Sequence, residues 1–256
     1  MNQLEVQLKD LSGDARWTAK AAGSSAIPLL KERFRSDNPL ERSLVLECFA
    51  EIRGDEAILA LVRGLEDDEF DVRKTAVILL HNVHGPVAVP RLRELLSLST
   101  DEWVRGNAAL ILGTLDDAGA IPLIRERVSV ETDPEAARQM RLALARLEDG
   151  KEREAVVKRV SGPNARDRYK AIDDFEYVGR TDLLIHLLPL LSDAREVRNV
   201  GTEPFPVLHR VCDRAVEAVA AIGGKPFPFP VGGRVYSPEE IRAARDRIRQ
   251  ISGPGK

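Results

Sequence analysis

Apolar residues recur at helical spacing along most of the chain, in short blocks rich in alanine and leucine. Two of these blocks are residues 74–80 (KTAVILL) and 107–112 (NAALIL). Apolar side chains at a period near 3.6 residues predict amphipathic helices. An arginine stands just inside the start of successive helical patterns: Arg16, Arg42, Arg73, Arg105, Arg138, Arg168 and Arg214. Their spacings of 26, 31, 32, 33, 30 and 46 residues indicate an internal repeat.

A second register of the sequence keeps nearly the same period. Four apolar residues open a second predicted helix in successive units, at spacings of 31, 31 and 32 residues: Ile27, Ile58, Val89 and Ile121. Three of them are followed by proline, which suits a first helical turn because the N–H there has no partner within the helix. Three glycines follow arginines of the first register at one constant interval and predict left-handed helix ends: Gly54, Gly85 and Gly150.

Each unit is therefore predicted to be a pair of helices. The first helices have starts of their own, since Asn38-Pro39 and Asp133-Pro134 place a capping side chain before a proline. One such pair cannot bury its apolar face alone, whereas stacked pairs share a continuous core. The predicted fold is all-α, a right-handed α-α superhelix of six to seven helix pairs with a C-terminal cap.

The repeat resembles the bacterial HEAT-like repeat proteins, and specifically the short subtype named after phycobilisome lyases. The resemblance depends on the Asp-x-Arg starts at residues 14–16 and 71–73, on the alanine-rich first helix and on the Ala-Ile-Pro-Leu opening of the second helix. It covers roughly residues 12–224 and is clearest over 36–128, while residues 151–191 fit more loosely. The resemblance implies an α-solenoid and leaves the function open, because such repeats serve many tasks.

Two segments depart from the repeat. The 46-residue step holds a surplus at residues 192–208, where two prolines and a glycine predict a loop or a short ribbon. This insertion is either a binding element or a tolerated excursion. The second departure follows Gly223-Gly224, so that the predicted domains are a solenoid at 1–224 and a Pro/Phe-rich segment with a capping helix at 225–256.

The C-terminal segment alternates proline with apolar residues from 225 to 231, a pattern that is incompatible with a helix. A Gly-Gly pair at 232–233 is expected to turn a small hairpin. Ser237-Pro238-Glu239-Glu240 is a capping box that opens a last helix through about residue 251. The segment either caps the open end of the solenoid or offers Phe227, Phe229 and Tyr236 to a partner.

The composition is that of a folded protein without an excess of positive charge. Hydrophobic residues make up 43% of the chain, and 41 acidic residues outnumber 38 basic ones, a net charge of -3. A non-specific DNA coat is therefore disfavoured, because such binding depends on positive charge meeting phosphate. The N-terminal residues lack the basic and apolar regions of a signal peptide, so we expect a cytoplasmic bacterial protein without a membrane span.

The reactive residues give no pattern of a catalytic or metal site. Cys48 and Cys212 fall in Ala/Leu-rich helices and are expected in the core, while His81 and His84 have no further ligand nearby in sequence. Deoxyhypusine hydroxylase, an iron enzyme of similar repeats, carries paired His-Glu dipeptides, and this chain has none. The acidic run at 66–71 lacks the glycine and glutamate of a calcium loop and is expected to be a solvated turn. We therefore predict no catalytic residue, metal or cofactor.

The repeated arginines are expected to pair with an aspartate or a backbone carbonyl of the adjacent repeat and so form a ladder. Asp14, Asp71 and Asp167 lie one or two residues upstream and are candidate partners. Further cations lie on or near the predicted second helices: Lys31, Arg63, Arg93, Arg125, Arg127 and Lys158. They predict a basic row along the concave groove that the second helices line, although exposed, solvated helix faces explain these charges equally well.

The predicted function is a non-enzymatic protein–protein binding module with an acidic partner, for example an immunity or antitoxin-type inhibitor or an assembly factor. The predicted contacts are the basic row together with Arg198 and Phe205 of the insertion and Phe227, Phe229 and Tyr236 of the tail. One alternative, implied by the resemblance, is a protein that handles a bilin. Another is a HEAT-like nucleic-acid-binding protein, which the acidic balance disfavours.

Overall fold

The computed structural model describes residues 3–83, 85–147, 150–198 and 208–253, with the backbone alone at residues 198 and 208. It divides into two compact units, Met1–Leu147 (unit 1) and Glu148–Lys256 (unit 2). The helices described in unit 1 are α1 (Gln3–Lys9), α2 (Ala15–Ala22), α3 (Ile27–Arg33), α4 (Pro39–Ile52), α5 (Asp55–Gly64), α6 (Phe70–Asn82), α7 (Val89–Leu98), α8 (Glu102–Thr114), α9 (Ile121–Val130) and α10 (Pro134–Leu147). Those described in unit 2 are α11 (Lys151–Val160), α12 (Ala165–Val178), α13 (Val211–Ile222) and α14 (Pro238–Ser252).

Unit 1 is a stack of helix pairs in two layers. The first helices form one layer, in which α4 packs between α2 and α6, and α8 contacts α6 and α10. The second helices α3, α5, α7 and α9 form the other layer, in which α5 contacts α3 and α9 contacts α7. Small residues allow the layers to approach closely: a Cβ at Gly64 would lie 2.9 Å from the Cβ of Ala76.

The helix starts in unit 1 follow the capping chemistry of the sequence. Asn38 Oδ1 accepts a hydrogen bond from the Leu40 N–H at 3.0 Å, and Asp133 Oδ1 accepts one from the Ala136 N–H at 2.7 Å. The prolines of the second helices stand in the first turn, and short 3₁₀ turns precede α3, α7 and α9. The predicted pair of helices per unit is confirmed here.

The predicted left-handed helix ends do not form at the three glycines, because Gly54 and Gly150 have positive φ but ψ of 164° and -138° and are each the N-cap of the following helix. Gly54 and Gly150 have φ of 82° and 117°, in the region that favours glycine. Gly85 is extended instead, with φ of -166°, and begins the 3₁₀ turn before α7. It is glycine for a steric reason, because a Cβ there would lie 2.3 Å from Ile58 Cδ1.

Unit 2 departs from the regular repeat where the sequence does. After α12 the chain forms 3₁₀ turns at Thr181–Leu187 and Leu190–Ser192 in place of a second α-helix. The insertion includes a short antiparallel ribbon of β1 (Glu196–Arg198) and β2 (Leu208–Arg210), with Val197 opposite His209, which confirms the predicted ribbon. Residues 199–207 between the strands lie outside the described residues.

The C-terminal segment is part of unit 2, whereas the sequence predicts a domain boundary between residues 224 and 225. The physical reason is that the segment packs on α13, and the Tyr236 N–H donates to Asp213 Oδ1 at 3.0 Å. The capping box of α14 is confirmed, with Ser237 Oγ accepting from the Glu240 N–H at 3.3 Å. The expected hairpin at 232–233 is wrong, since these residues form a bend closed by the Gly232 N–H on the Tyr236 hydroxyl at 2.8 Å.

The repeated arginines form the predicted ladder at four of the seven positions. In each case Nη1 donates to the carbonyl of the residue six positions earlier, in the turn that precedes the helix: Arg42 to Ser36, Arg73 to Asp67, Arg105 to Ser99 and Arg168 to Gly162. The guanidinium also reaches a carboxylate in the next such turn along the chain: Asp67, Asp101, Glu131 and Asp193 respectively. One side chain thus connects two consecutive turns.

The ladder carboxylates are therefore not the predicted candidates, the upstream aspartates Asp14, Asp71 and Asp167. An aspartate one or two residues away lies on the arginine's own helix start, whereas the guanidinium extends across to the neighbouring turn. The acidic run at 66–71 is accordingly more than a solvated turn, because Asp67 is bound by Arg42 at 2.7 and 2.9 Å and is 7% exposed.

The other three arginines of the register pair differently. Arg16 is 3.5 Å from Glu47, and Arg138 binds Glu135 on its own helix. Arg214 binds Asp173 at 2.7 Å and Glu176 at 2.5 Å. The ladder therefore joins consecutive turns, whereas Arg16 and Arg214 join neighbouring helices and Arg138 pairs within its own helix.

We predict that Glu131→Gln destabilises unit 1. Glu131 is 1% exposed and its two oxygens accept from Arg105 at 2.7 Å, so the substitution leaves a buried guanidinium without its counter-ion. The expected loss in free energy of unfolding is about 3 kcal/mol, measured by urea unfolding followed by circular dichroism. Glu5→Gln, which breaks an exposed pair with Lys9, is the matched control and is expected to unfold like the parent chain. Equal loss in both variants would contradict the prediction.

A specific acid sensitivity follows from the same pair. The hydrogen bonds from Arg105 lower the pKa of Glu131 from 4.5 to about 2. The N–H groups of Asp133 and Thr132 also lower it, whereas burial acts to raise it. Because the folded pKa is the lower one, this stabilisation is complete above pH 4.5 and is lost as the pH falls towards about 2. At 1.36 kcal/mol per unit the full contribution is about 3 kcal/mol. Between pH 4.5 and about 2, the urea concentration at the midpoint of unfolding should fall less steeply with decreasing pH for Glu131→Gln than for the parent chain.

Candidate protein-binding surfaces

Most cations of the predicted basic row in unit 1 already have a carboxylate partner. Lys31 binds Glu56 at 2.6 Å with both side chains exposed. Arg93 makes a two-pronged pair with Asp117, at 2.6 and 2.8 Å. Each of these pairs crosses from one second helix to the start of the next unit's second helix, so it neutralises charge along the row.

The remaining members of the row in unit 1 are not equivalent. Arg63 is exposed and makes no ion pair with any residue that the structure describes, while Arg125 is exposed on α9. Arg127 lies 3.8 Å from Glu131, and its Nε is buried without a hydrogen-bond acceptor among the described residues. Val62, at the position equivalent to Lys31 and Arg93, is fully buried. The row in unit 1 is therefore interrupted.

Unit 2 contains a groove whose lining has more cationic side chains than carboxylates. Two adjoining cavities of about 380 and 470 Å³ share Ser161 and His186 in their linings. One is bordered by Lys158 of α11, which is exposed and has no ion pair with a described residue. The other is bordered by Arg168 and Arg195. We call these two cavities together the unit 2 groove.

One carboxylate in this groove serves two arginines. Asp193 Oδ2 accepts from Arg168 Nη2 at 2.7 Å, and Asp193 Oδ1 accepts from Arg195 Nε at 2.7 Å. Arg168 is 8% exposed, whereas Arg195 is 57% exposed at the rim. The excess positive charge of the trio therefore faces solvent through Arg195.

The sequence pattern did not single out Arg195 or Asp193 as site residues, although it contains a signal for Asp193. Asp193 follows Arg168 at the same interval in sequence as Asp67 follows Arg42. Arg198, a predicted partner contact, lies on β1, which begins directly after Arg195 in the sequence. Phe205 lies outside the described residues.

The aromatic residues of the tail are largely internal. Phe227 is 8% exposed and Tyr236 is 2% exposed, so burial excludes both from a contact surface. Phe229 is half-buried between them, stacked on Phe227 at 4.8 Å between ring centroids and edge-on to Tyr236 at 6.1 Å. Arg234 lies 4.3 Å above the Tyr236 ring. These contacts form an internal cap.

A buried carboxylate anchors this cap to α13. Asp213 is 1% exposed and accepts from Arg210 at 2.7 and 2.8 Å and from the Tyr236 N–H. Burial opposes ionisation of Asp213, but the Arg210 and Tyr236 hydrogen bonds outweigh it and lower its pKa. Arg210 also donates to the Tyr236 carbonyl at 2.8 Å, so the ion pair holds the cap on both sides.

The two thiols and His81 lie in structural positions. Burial raises the pKa of the Cys48 thiol to about 12 and also raises that of Cys212, which suppresses thiolate formation. His81 Nδ1 is 3.1 Å from the Thr114 hydroxyl, and His84 lies outside the described residues. In the described part of the chain no group of three or more His, Cys, Asp or Glu could hold a metal ion. Within that same part, every helix is too short or too polar to cross a bilayer.

The helical stack defines an all-α HEAT-like solenoid, a class of fold that acts as a scaffold for protein–protein interaction. A family model for HEAT repeats matches residues 26–106 and 61–145, which lie within unit 1. Residues 26–145 therefore consist of HEAT-like repeats. No curated protein matches it significantly.

One solved structure supports the same fold. The complex of CpcE and CpcF of phycocyanin lyase from Nostoc sp. PCC7120 is similar over 98% of this chain and 95% of that chain, with 15% identity and a TM-score of 0.56. At that identity the likeness is one of fold. Human deoxyhypusine hydroxylase aligns over 93% and 88% of the chains (17% identity, TM-score 0.34) and Escherichia coli YibA over 90% and 83% (18%, 0.42), values too low to carry an argument.

We predict that Tyr236→Ala destabilises unit 2 by removing the centre of the cap. The ring is 2% exposed and its hydroxyl accepts from the Gly232 N–H, so the expected loss is about 3–5 kcal/mol. Its neighbour Val235 is 59% exposed, and Val235→Ala is expected to change stability by less than about 0.5 kcal/mol. Thermal unfolding of the two variants distinguishes an internal cap from a free surface, on which both substitutions would be silent.

Proposed function

We propose that this protein is a non-enzymatic binding scaffold whose unit 2 groove holds an acidic segment of a partner protein. The observation that carries the proposal is the arrangement around Asp193, where one carboxylate is shared by Arg168 and Arg195. With Lys158 on the adjoining cavity, the groove offers cations that a carboxylate-bearing segment would neutralise.

The distribution of charge between the units supports unit 2 as the site. Residues 1–147 carry 19 basic and 24 acidic residues, whereas residues 148–256 carry 19 basic and 17 acidic. An acidic partner is therefore attracted to unit 2 and repelled by unit 1 at low ionic strength. The predicted cations of unit 1 contribute less, because Lys31 and Arg93 are occupied by Glu56 and Asp117.

The lining of the groove favours a peptide over a polyphosphate chain. Apolar residues such as Val157, Leu183 and Leu190 stand beside the cations, and the carboxylates of Glu154 and Asp182 also border the cavities. A nucleic-acid backbone carries a negative charge at every nucleotide, and these two carboxylates would repel it. A protein segment with mixed acidic and apolar side chains matches both parts of the lining.

The particular partner stays a hypothesis, whether an inhibited effector or a client in assembly. Bilin handling is a further hypothesis, since the likeness to the phycocyanin lyase complex is one of fold at 15% identity. That complex contains two protein chains, CpcE and CpcF, which is compatible with a protein partner here.

The test is binding of a fluorescent peptide of alternating Glu and Leu to the full chain, measured by anisotropy at low salt. We expect Lys158→Glu/Arg195→Glu to weaken binding by at least about tenfold, because two attractive charges become repulsive. The control Lys225→Glu/Arg249→Glu makes the same change in net charge at exposed positions of unit 2 outside the groove lining.

Three results would overturn the proposal. Equal weakening by the groove variant and the control would reduce the effect to net charge. Tighter binding of single-stranded DNA than of the peptide would favour the nucleic-acid alternative. Loss of peptide binding in Arg63→Glu/Arg125→Glu alone would move the site to unit 1.

A further inference from the structure

Unit 1 exposes large apolar side chains along the edge that the arginine ladder crosses. We call this surface the ladder edge and define it by five residues at helix ends beside the ladder turns: Leu40, Phe70, Leu98, Trp103 and Val130. Four of them are 50–73% exposed, and Trp103 is partly buried. Exposed apolar residues that recur at the same place in successive repeats mark an interaction surface.

The ladder bonds bring these residues to one edge. Arg42 connects the turn before α4 to Asp67 in the turn before α6, and Arg105 connects the turn before α8 to Glu131 beside Val130. Phe70 and Trp103 meet edge-to-face across two repeats, with ring centroids 5.4 Å apart. The Arg73 guanidinium lies 5.6 and 5.7 Å from the two centroids. The aromatic pair is therefore held in place before any partner arrives.

Unpaired carboxylates surround the apolar residues. Five side chains in the ladder turns and the adjoining first helical turns are exposed and form no ion pair with any residue in the described ranges: Asp37, Asp68, Glu69, Asp71 and Glu102. The ladder arginines Arg42 and Arg105 do not offset this charge, because they are committed to Asp67 and Glu131. Arg35 and Arg63 line one cavity with Asp37 and Asp68 and offset part of it, so Glu69, Asp71 and Glu102 carry most of the negative charge. The ladder edge thus combines apolar contact area with negative charge.

We propose that the ladder edge docks a basic amphipathic segment of another protein, with Lys or Arg beside apolar side chains. The proposal concerns a different surface from the unit 2 groove and a partner of opposite charge. Charge selects this occupant: a second copy packed through the same edge about a two-fold axis would bring the carboxylates of both copies together. An anionic lipid surface would be repelled for the same reason.

Helical geometry makes the match specific. Neighbouring helices of a stack lie about 8–10 Å apart, so equivalent ladder-edge residues recur at about that interval. A helical segment rises 1.5 Å per residue, so apolar residues two turns apart are separated by about 10 Å. A segment with one apolar residue every seven positions therefore meets successive repeats, with its cations facing the carboxylates.

The chain's own fluorescence tests the proposal, because it has two tryptophans and one of them is at the ladder edge. In Trp17→Phe, Trp103 is the reporter. The probe is a helical peptide of about four turns with Leu at heptad spacing among Lys residues. We expect it to shift the Trp103 emission to shorter wavelength, whereas the matched peptide with Glu for Lys gives no shift.

Substitutions at the edge separate docking from non-specific attraction. Leu98→Asp is expected to weaken peptide binding at least about tenfold, because it removes apolar contact with the peptide. The Leu98 side chain is 73% exposed, so the substitution removes little packing within the chain. Ile78→Asp is the control, because Ile78 is 53% exposed on α6 but about 12 Å along the helix from its start.

Several outcomes would overturn the proposal. One is equal weakening by Leu98→Asp and Ile78→Asp. Another is an emission shift in Trp103→Phe, where Trp17 reports, equal to that in Trp17→Phe. A third is sedimentation of the peptide-free chain as a dimer that Leu98→Asp dissociates, which would assign the edge to a second copy.

Discussion

The structure depends on a guanidinium that is shared between two consecutive turns of the stack. Each ladder arginine donates to a carbonyl in the turn before its own helix and pairs with a carboxylate in the turn that follows the helix pair, although Arg73 is as far as 3.9 Å from Asp101. Because Arg105 and Glu131 are 8% and 1% exposed, this connection is shielded from solvent and is sensitive to the loss of either partner. Apolar packing supplies the stack's cohesion, and the ladder sets the register of one pair on the next.

Unit 2 uses the same interaction and changes its surroundings. Arg168 and Asp193 repeat the ladder geometry, but Arg195 adds a second guanidinium to the same carboxylate. Here the chain also replaces a second helix with 3₁₀ turns and inserts a ribbon. A structural ion pair thus becomes the edge of a groove, and a cap anchored by Asp213 completes the unit.

The two units consequently offer surfaces of opposite character. In unit 1 the ladder arginines are paired with carboxylates, and other carboxylates are exposed beside apolar side chains. In unit 2, Lys158 and Arg195 are exposed. A scaffold with one basic groove and one acidic, apolar edge suits two partner segments of different chemistry. Neither surface requires a reactive group, in keeping with the raised pKa of both thiols.

The sequence by itself determined the helix pairs, their caps and the repeat, since these depend on residues within one or two helical turns and on a regular period that is visible along the chain. It also indicated the ribbon and the last helix through local turn and capping residues. Tertiary structure alone decided the ladder partners, the neutralisation of Lys31 and Arg93 and the burial of Tyr236. The reason is physical: each depends on groups that lie most of a repeat apart in sequence, and their meeting is set by how one element packs on the next.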